Sequence, residues 1–237
     1  MPSGGNHLLA ALAPEEMKRL REHMELVPLA RRATLYEAGS RFQYAYFPTS
    51  GIVSLMHVMP EGSAVEVGVI GNEGFTGACA LLSGSVDPLR AIVHTAGYAY
   101  RIKAAHVHAE FRRCARLHSV VLRYACALIA QLAQTAACNR RHSLDQQLCR
   151  WLLIALDRMP SNEVVTTQET IASMLGVRRE GVTEAASSLQ KAGLIRYSRG
   201  RIAVLSRAKM EARACDCYKA LRGETDRLLR EVYAVRL

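Results

Sequence analysis

Residues Thr166 to Leu205 constrain the fold of this 237-residue chain more than any other stretch. Apolar residues recur at helical spacing at Ile171, Met174 and Leu175. A glycine follows at Gly176, where a left-handed backbone ends a helix at little cost. A second helical pattern runs through Val182, Ala185, Ala186 and Leu189. Thr166, three residues ahead of Glu169, predicts a capping box at the start of the first helix. After Gly193, Leu194 to Tyr197 and Ile202 to Leu205 read as two strands around Ser198-Arg199-Gly200-Arg201, a hairpin with a basic tip. Two short helices at a glycine turn, followed by a basic hairpin, predict a winged helix-turn-helix. That device lays its second helix in the major groove of DNA.

The charges on these elements carry the same reading. Glu180, Glu184 and Ser187 lie opposite the apolar face of the second helix, with Thr183 on its flank, and Arg178 and Arg179 occupy its first turn. That end of a helix prefers anions, so two arginines there call for a phosphate or a guanine edge as partner. Net charge is +10. Residues 141–237 hold 17 Lys/Arg against 11 Asp/Glu, and residues 1–140 hold 14 against 10. Positive density is therefore higher in the smaller C-terminal part, as contact with a polyanion requires.

The first half has another texture. Short apolar runs broken by Gly, Pro, Asn and Ser predict strands at Ala33–Glu37, Gln43–Phe47, Ile52–Met59, Ala64–Ile70, Ala91–Thr95 and Tyr98–Ile102. Val65, Val67 and Val69 alternate with Ala64, Glu66 and Gly68, the pattern of a half-buried strand. A helix over Pro14–Glu25 precedes them. Many short strands at this spacing predict a β-sandwich or jelly roll.

Leu117 to Asn139 is apolar and nearly free of charge except for Arg123. Leu117, Val121, Tyr124, Leu128, Gln131 and Thr135 follow a 4-3-4-3-4 rhythm, and Leu122, Ala125, Ile129, Leu132 and Ala136 make a second apolar face. One face can pack on the strands and the other on a partner helix. A helix over Ser143–Met159 follows, opened by Ser143-x-x-Gln146 and stopped before Pro160. Lys209 to Val232 reads as one further helix, suited either to packing on the C-terminal domain or to a polymerase contact.

Several function classes are disfavoured. There is no phosphate loop, nucleophile elbow, H-E-x-x-H or paired-carboxylate motif, so no enzyme is expected. The N-terminus lacks a basic segment ahead of its short apolar run, and no apolar stretch reaches the roughly 18–20 residues of a membrane span. Of seven cysteines most lie in apolar helical context, which predicts reduced thiols in the cytoplasm. Cys215 and Cys217 on one helix would point about 200° apart and could not chelate one ion together. Haem-type ligation is harder to exclude, but His57, His94, His106, His108 and His118 are scattered, and no metal or cofactor is expected. A redox role for Cys215 or Cys217 stays open.

The string Gln168-Glu169, Ile171-Ala172, Leu175-Gly176, Arg179-Glu180 and Val182 resembles the DNA-binding motif of the Crp/Fnr family, the cyclic-AMP receptor and fumarate–nitrate regulators. The likeness extends over most of the chain. It implies an α+β protein with an N-terminal effector β-roll of the cyclic-nucleotide-binding kind over residues 1–116. A dimerisation helix over 117–140 and a winged helix-turn-helix with a C-terminal helical extension over 141–237 complete it. It implies DNA contacts at Thr167, Gln168, Arg178, Arg179, Glu180, Thr183, Glu184, Ser187, Arg199 and Arg201. Glu184 stands where the family usually has an arginine, so a different target sequence is expected. The dimer seam falls to Val121, Tyr124, Leu128, Gln131 and Thr135. Gly71, Glu73, Gly77, Ala78 and Arg90 outline the effector pocket, but Ala78 occupies the place of the glutamate that holds a ribose hydroxyl. The N-terminal cysteine cluster of iron–sulfur members has no counterpart, since the first cysteine is Cys79. The expectation is a cytoplasmic homodimer reading a pseudo-palindromic operator in double-stranded DNA. RNA polymerase is an expected partner, and any small-molecule effector is something other than cyclic AMP. The alternatives are a cyclic-nucleotide-responsive regulator and a protein-interaction module built on a degenerate winged helix.

Overall fold

The computed structural model describes residues 5–159 and 161–234. Helix α1 (His7–Ala10) starts at Asn6, whose side-chain oxygen accepts from the amides of Leu8 and Leu9 while its amide donates to the carbonyls of Pro48 and Gly74. Helix α2 (Pro14–Arg21) has proline in its first turn, where the ring costs no hydrogen bond. It ends four residues before the expected Glu25, because Glu25 opens a strand that the pattern does not announce, β1 (Glu25–Leu29). Pro28 disguises it, and proline is tolerated there because β1 is an edge strand.

The six predicted strands follow within one residue at each end: β2 (Thr34–Tyr36), β3 (Tyr44–Pro48), β4 (Ile52–Val58), β5 (Ala64–Ile70), β6 (Arg90–Thr95) and β7 (Gly97–Lys103). A short helix, α3 (Ala78–Ser83), interrupts them after β5. The strands form two antiparallel sheets, in the orders β1-β7-β3 and β2-β6-β4-β5, which enclose a core containing Leu29, Phe47, Val53, Phe75 and Val93. On β5 the expected burial is inverted. Glu66, Gly68 and Ile70 are buried and the three valines are only half-buried. Helices cover the Glu66–Gly68 side so closely that a Cβ on Gly68 would meet the Gln131 side chain at 2.8 Å.

Helix α4 (Ala104–Arg113) leads into the long α5 (Ala115–Arg141). Leu117, Val121, Tyr124, Leu128 and Thr135 are buried within the chain, the first four in the β-roll core. The Tyr124 hydroxyl donates to the Phe75 carbonyl at 3.0 Å, and Gln131 accepts from the Val69 amide at 2.6 Å. The seam assigned to Val121, Tyr124, Leu128, Gln131 and Thr135 is thus the inward face of the helix. The outward apolar stripe is Leu122, Cys126, Ile129, Ala133 and Ala136, with Ile129 64 % exposed. Contrary to the sequence reading, α5 is long and apolar enough to cross a membrane. A core helix meets the same criterion, and the packing of α5 against the β-roll and α10 accounts for its composition.

Helix α6 (Leu144–Leu156) opens on the predicted Ser143–Gln146 capping box and ends three residues before Met159; Pro160, expected as its stop, lies outside the described residues. Then come β8 (Glu163–Val165), α7 (Gln168–Leu175), α8 (Arg179–Lys191), β9 (Ile195–Ser198) and β10 (Arg201–Val204), the last pairing with both β8 and β9. The expected single C-terminal helix is two, α9 (Arg207–Arg213) and α10 (Asp216–Ala234). The extended backbone of Ala214 breaks them apart. Cys215 therefore precedes α10 rather than sitting within a helix with Cys217, and helix geometry does not hold their thiols apart. Helix α10 packs chiefly along α5, with lesser contact to α6.

Candidate nucleic-acid interface

Helix α7 starts one residue later than the capping box predicts. Thr167, not Thr166, is the cap, its hydroxyl accepting from the Thr170 amide at 3.1 Å. Thr166 is fully buried because its amide donates to the Gly200 carbonyl at 2.9 Å, which ties the wing to the start of α7. Gly176 then turns the chain with φ 64° into α8. Ile171, Met174, Leu175, Val182, Ala185, Ala186 and Leu189 are all buried in one core, as their spacing predicts. The Thr183 hydroxyl donates to Gln168 at 2.9 Å and to the Arg179 carbonyl at 3.1 Å, fixing the angle between the two helices. Gln168 and Thr183 thus hold each other as well as facing outward.

The outer face of α8 presents Arg178, Arg179, Glu180, Thr183, Glu184 and Ser187, all exposed. The wing turns through Arg199 and Gly200, both at positive φ (49° and 73°), the two-residue turn that matches strand twist. That conformation projects the Arg199 side chain from the tip. Arg201 lies within 3.7 Å of Glu163 but its side chain is 65 % exposed, so that pair is worth little. Among the described residues no carboxylate is within ion-pair distance of Arg178, Arg179, Arg196 or Arg199. Arg196 is an exposed cation on β9 that the sequence reading passed over. Its alternation with the buried Ile195 was the available signal.

Two of the five expected pocket residues, Glu73 and Arg90, are committed to ion pairs within the chain. Glu73 is buried and paired with Arg158 at 2.7 Å, far along the chain in the C-terminal domain. Gly71 admits that arginine, since a Cβ there would meet its side chain at 2.8 Å. Arg90 pairs with Glu37 at 2.5 Å on the surface of β6. Gly77 is in the left-handed region with φ 87°, and the Phe42 ring lies directly over it. Ala78 begins α3 and is buried. Asp87, absent from the sequence reading, is buried beside this cassette. Its carboxyl accepts from the Leu89 amide at 3.0 Å, with the Tyr36 hydroxyl 3.5 Å away. Desolvation pushes that carboxyl above its ordinary value against the pull of these bonds.

A β-roll, a long helix and a winged helix-turn-helix with an unpaired arginine surface define a DNA-binding transcription regulator with an attached sensor-type domain. Residues 26–114 match the family model of the cyclic nucleotide-binding domain, and residues 146–213 match that of the Crp-like helix-turn-helix domain. The chain belongs to the Crp/Fnr family of transcription regulators. The fold is similar to that of FixK2 from Bradyrhizobium japonicum, at 14% identity, covering 81% of this chain and 98% of that one with a TM-score of 0.67. It is similar to the c-di-GMP-responsive global regulator CLP of Xanthomonas campestris, at 14% identity, 82% and 100% coverage and a TM-score of 0.66. A CRP-family transcriptional regulator from Thermus thermophilus shares 22% identity, with 79% and 96% coverage and a TM-score of 0.64. No curated protein sequence matches the chain.

Proposed function

We propose that the protein works as a homodimer that reads a pseudo-palindromic operator, one α8 helix per half-site. The carrying observation is the outer face of α8 with Arg178 and Arg179 exposed and unpaired, flanked by the arginines of the wing. Like charges left without carboxylates cost stability in the free protein and gain partners on a phosphate backbone. The outward stripe of α5 supports a two-fold pairing, in which matching helices from two copies bury Leu122 and Ile129 against each other. Two such copies set their recognition helices about one DNA turn apart.

The effector in this reading is not a cyclic nucleotide. The buried Asp87 carboxyl lies near the start of α3, where its negative charge would repel a cyclic phosphate. Phe42 covers Gly77, and Ala78 offers no acceptor to a ribose. Selection of bound fragments from a genomic pool, with sedimentation of the free and bound protein, tests the DNA half. An inverted repeat bound by two chains is the expected result, and binding without sequence preference by a monomer would refute it. Calorimetry with cyclic AMP and cyclic GMP tests the effector half, with no micromolar binding expected.

A further inference from the structure

Where the long helix hands the chain to the DNA-binding domain, four potential metal ligands converge. Cys138 lies in the last turn of α5, and His142 caps that helix four residues on. Cys215 directly precedes α10, and Cys217 sits in its first turn. The three sulfurs and a ring nitrogen of His142 all lie within 4.8 Å of one another. Cys138 and Cys215 are 3.5 Å apart at sulfur, and Cys217 sulfur is 3.4 Å from Nδ1 of His142. A tetrahedral zinc with bonds of about 2.3 Å to sulfur and about 2.05 Å to nitrogen has sulfur–sulfur edges of about 3.8 Å and sulfur–nitrogen edges of about 3.6 Å. Both short edges of the cluster agree with those values to within a few tenths of an ångström. They are also far longer than the roughly 2.05 Å of a disulfide.

The surroundings suit a charged centre. All three cysteines are buried and form a small cluster apart from the two main cores. Three thiolates and a neutral imidazole around a divalent ion carry one net negative charge. Arg150 lies close enough to act electrostatically on Cys138, is 4 % exposed, and has a buried Nε with no hydrogen-bond partner among the described residues. A buried guanidinium with spare donors is costly unless an anion stands nearby. Gln134 donates its amide to Cys217 sulfur at 2.9 Å, the kind of bond that orients a ligating thiolate.

We propose that Cys138, His142, Cys215 and Cys217 bind one zinc ion. Soft thiolates in a tetrahedral three-sulfur, one-nitrogen set select zinc over the hard divalent cations. The protein fills all four positions, so the site is structural and not catalytic. Binding releases the three thiol protons to solvent and leaves the metal's oxidation state unchanged. The ion fastens the end of α5 to the start of α10, one residue ahead of the Ser143 cap of α6. It therefore holds the junction across which the sensor and DNA-binding domains must communicate.

The test is metal analysis and cobalt substitution of the full-length protein kept reduced. One zinc per chain is expected after loading and dialysis. Cobalt should give intense thiolate-to-metal charge-transfer bands with tetrahedral d–d absorption, and three of the seven thiols should become shielded from an aromatic disulfide reagent. Cys215→Ser and His142→Ala should lose the stoichiometry, His142→Cys should keep it, and Cys126→Ser, an exposed thiol outside the cluster, should not change it. Should a ligand variant fail to fold, the cobalt spectrum of the unaltered protein still decides. Folded, reduced protein that takes up cobalt without thiolate bands overturns the proposal. So does zinc-loaded protein in which Cys138 and Cys215 form a disulfide, or a loss of stoichiometry in Cys126→Ser equal to that in Cys215→Ser.

Discussion

Trp151 of the DNA-binding domain donates its indole N–H to Glu66 of the β-roll across 2.9 Å. The acceptor is buried and also receives the Ser54 hydroxyl. Desolvation raises the Glu66 carboxyl from its ordinary 4.5 to about 7, against the pull of Ser54, Trp151, Arg150 and Arg158. His94 stands edge-on to the same indole at 5.1 Å, and its burial, with a smaller push from Arg31, lowers it from 6.5 to about 4.

These two groups give opposite slopes. Between pH 4.5 and 7 the folded chain keeps a proton on Glu66 that the unfolded chain releases, so this term falls as pH rises. Between pH 4 and 6.5 the unfolded chain protonates His94 and the folded chain does not, so that term rises with pH. Each is on the order of 3 kcal/mol, and they largely cancel where they overlap. Glu66→Gln should leave stability climbing with pH through the His94 window. His94→Gln should leave it declining through the Glu66 window. Urea titrations at stepped pH read both, and an unchanged pH profile in the two variants would count against the assignment.

The Glu73–Arg158 pair joins the same two domains, with side chains 9 % and 8 % exposed. Arg158→Ala leaves a buried carboxylate without its partner and should cost about 3–5 kcal/mol. Limited proteolysis should then release the two domains as separate fragments. Glu73→Gln, which keeps a polar group of the same shape, should cost less. A Glu73→Gln variant as stable as the parent would mean that the charge pair itself contributes nothing.

Neighbouring residues of α5 should fail in different ways. Ile129→Arg changes an exposed position and is expected to leave the fold intact while giving a monomer with weak DNA binding. Leu128→Arg drives a cation into the β-roll core, where it is 6 % exposed, and should prevent folding. Circular dichroism with sedimentation equilibrium separates the two. A folded Leu128→Arg monomer beside a dimeric Ile129→Arg would put the seam on the other face.

Contacts to DNA should divide by kind. Arg179→Ala should cost roughly 1–3 kcal/mol and relax one base position per half-site. Arg199→Ala and Arg201→Ala should weaken binding to all sequences alike and lower the salt slope by about one. Glu184→Arg should shift the selected motif, because a carboxylate at the groove accepts from cytosine whereas an arginine reads guanine. An Arg179→Ala motif identical to the parent's, beside an altered Arg201→Ala motif, would reverse the roles.

What the sequence disclosed was local. The helix-turn-helix stood out because the α7 and α8 stripes, Gly176 and the Arg199-Gly200 turn are all specified within a few residues. Strand β8 was missed because three residues carry no periodicity and only pairing with Arg201 to Ala203 makes Glu163 to Val165 a strand. Thr166 and Thr167 are equivalent as caps until the wing claims the first. Helix α5 is apolar on both faces, so its rhythm could not say which one meets the β-roll. The break before α10 falls at Ala214, with no glycine or proline to announce it. The cysteine cluster stayed hidden for that reason.

Ile52 and Met56 belong to β4 of the β-roll, yet they are buried in the core of the DNA-binding domain, beside Trp151, Leu152 and Leu175. Neither domain is closed without the other in this arrangement. Heating should therefore give one calorimetric transition rather than two. Parting the domains would wet both side chains, at about 1.5–3 kcal/mol for each. A signal that swings the winged helix away must supply that much differential affinity, from an effector, from DNA or from the two together.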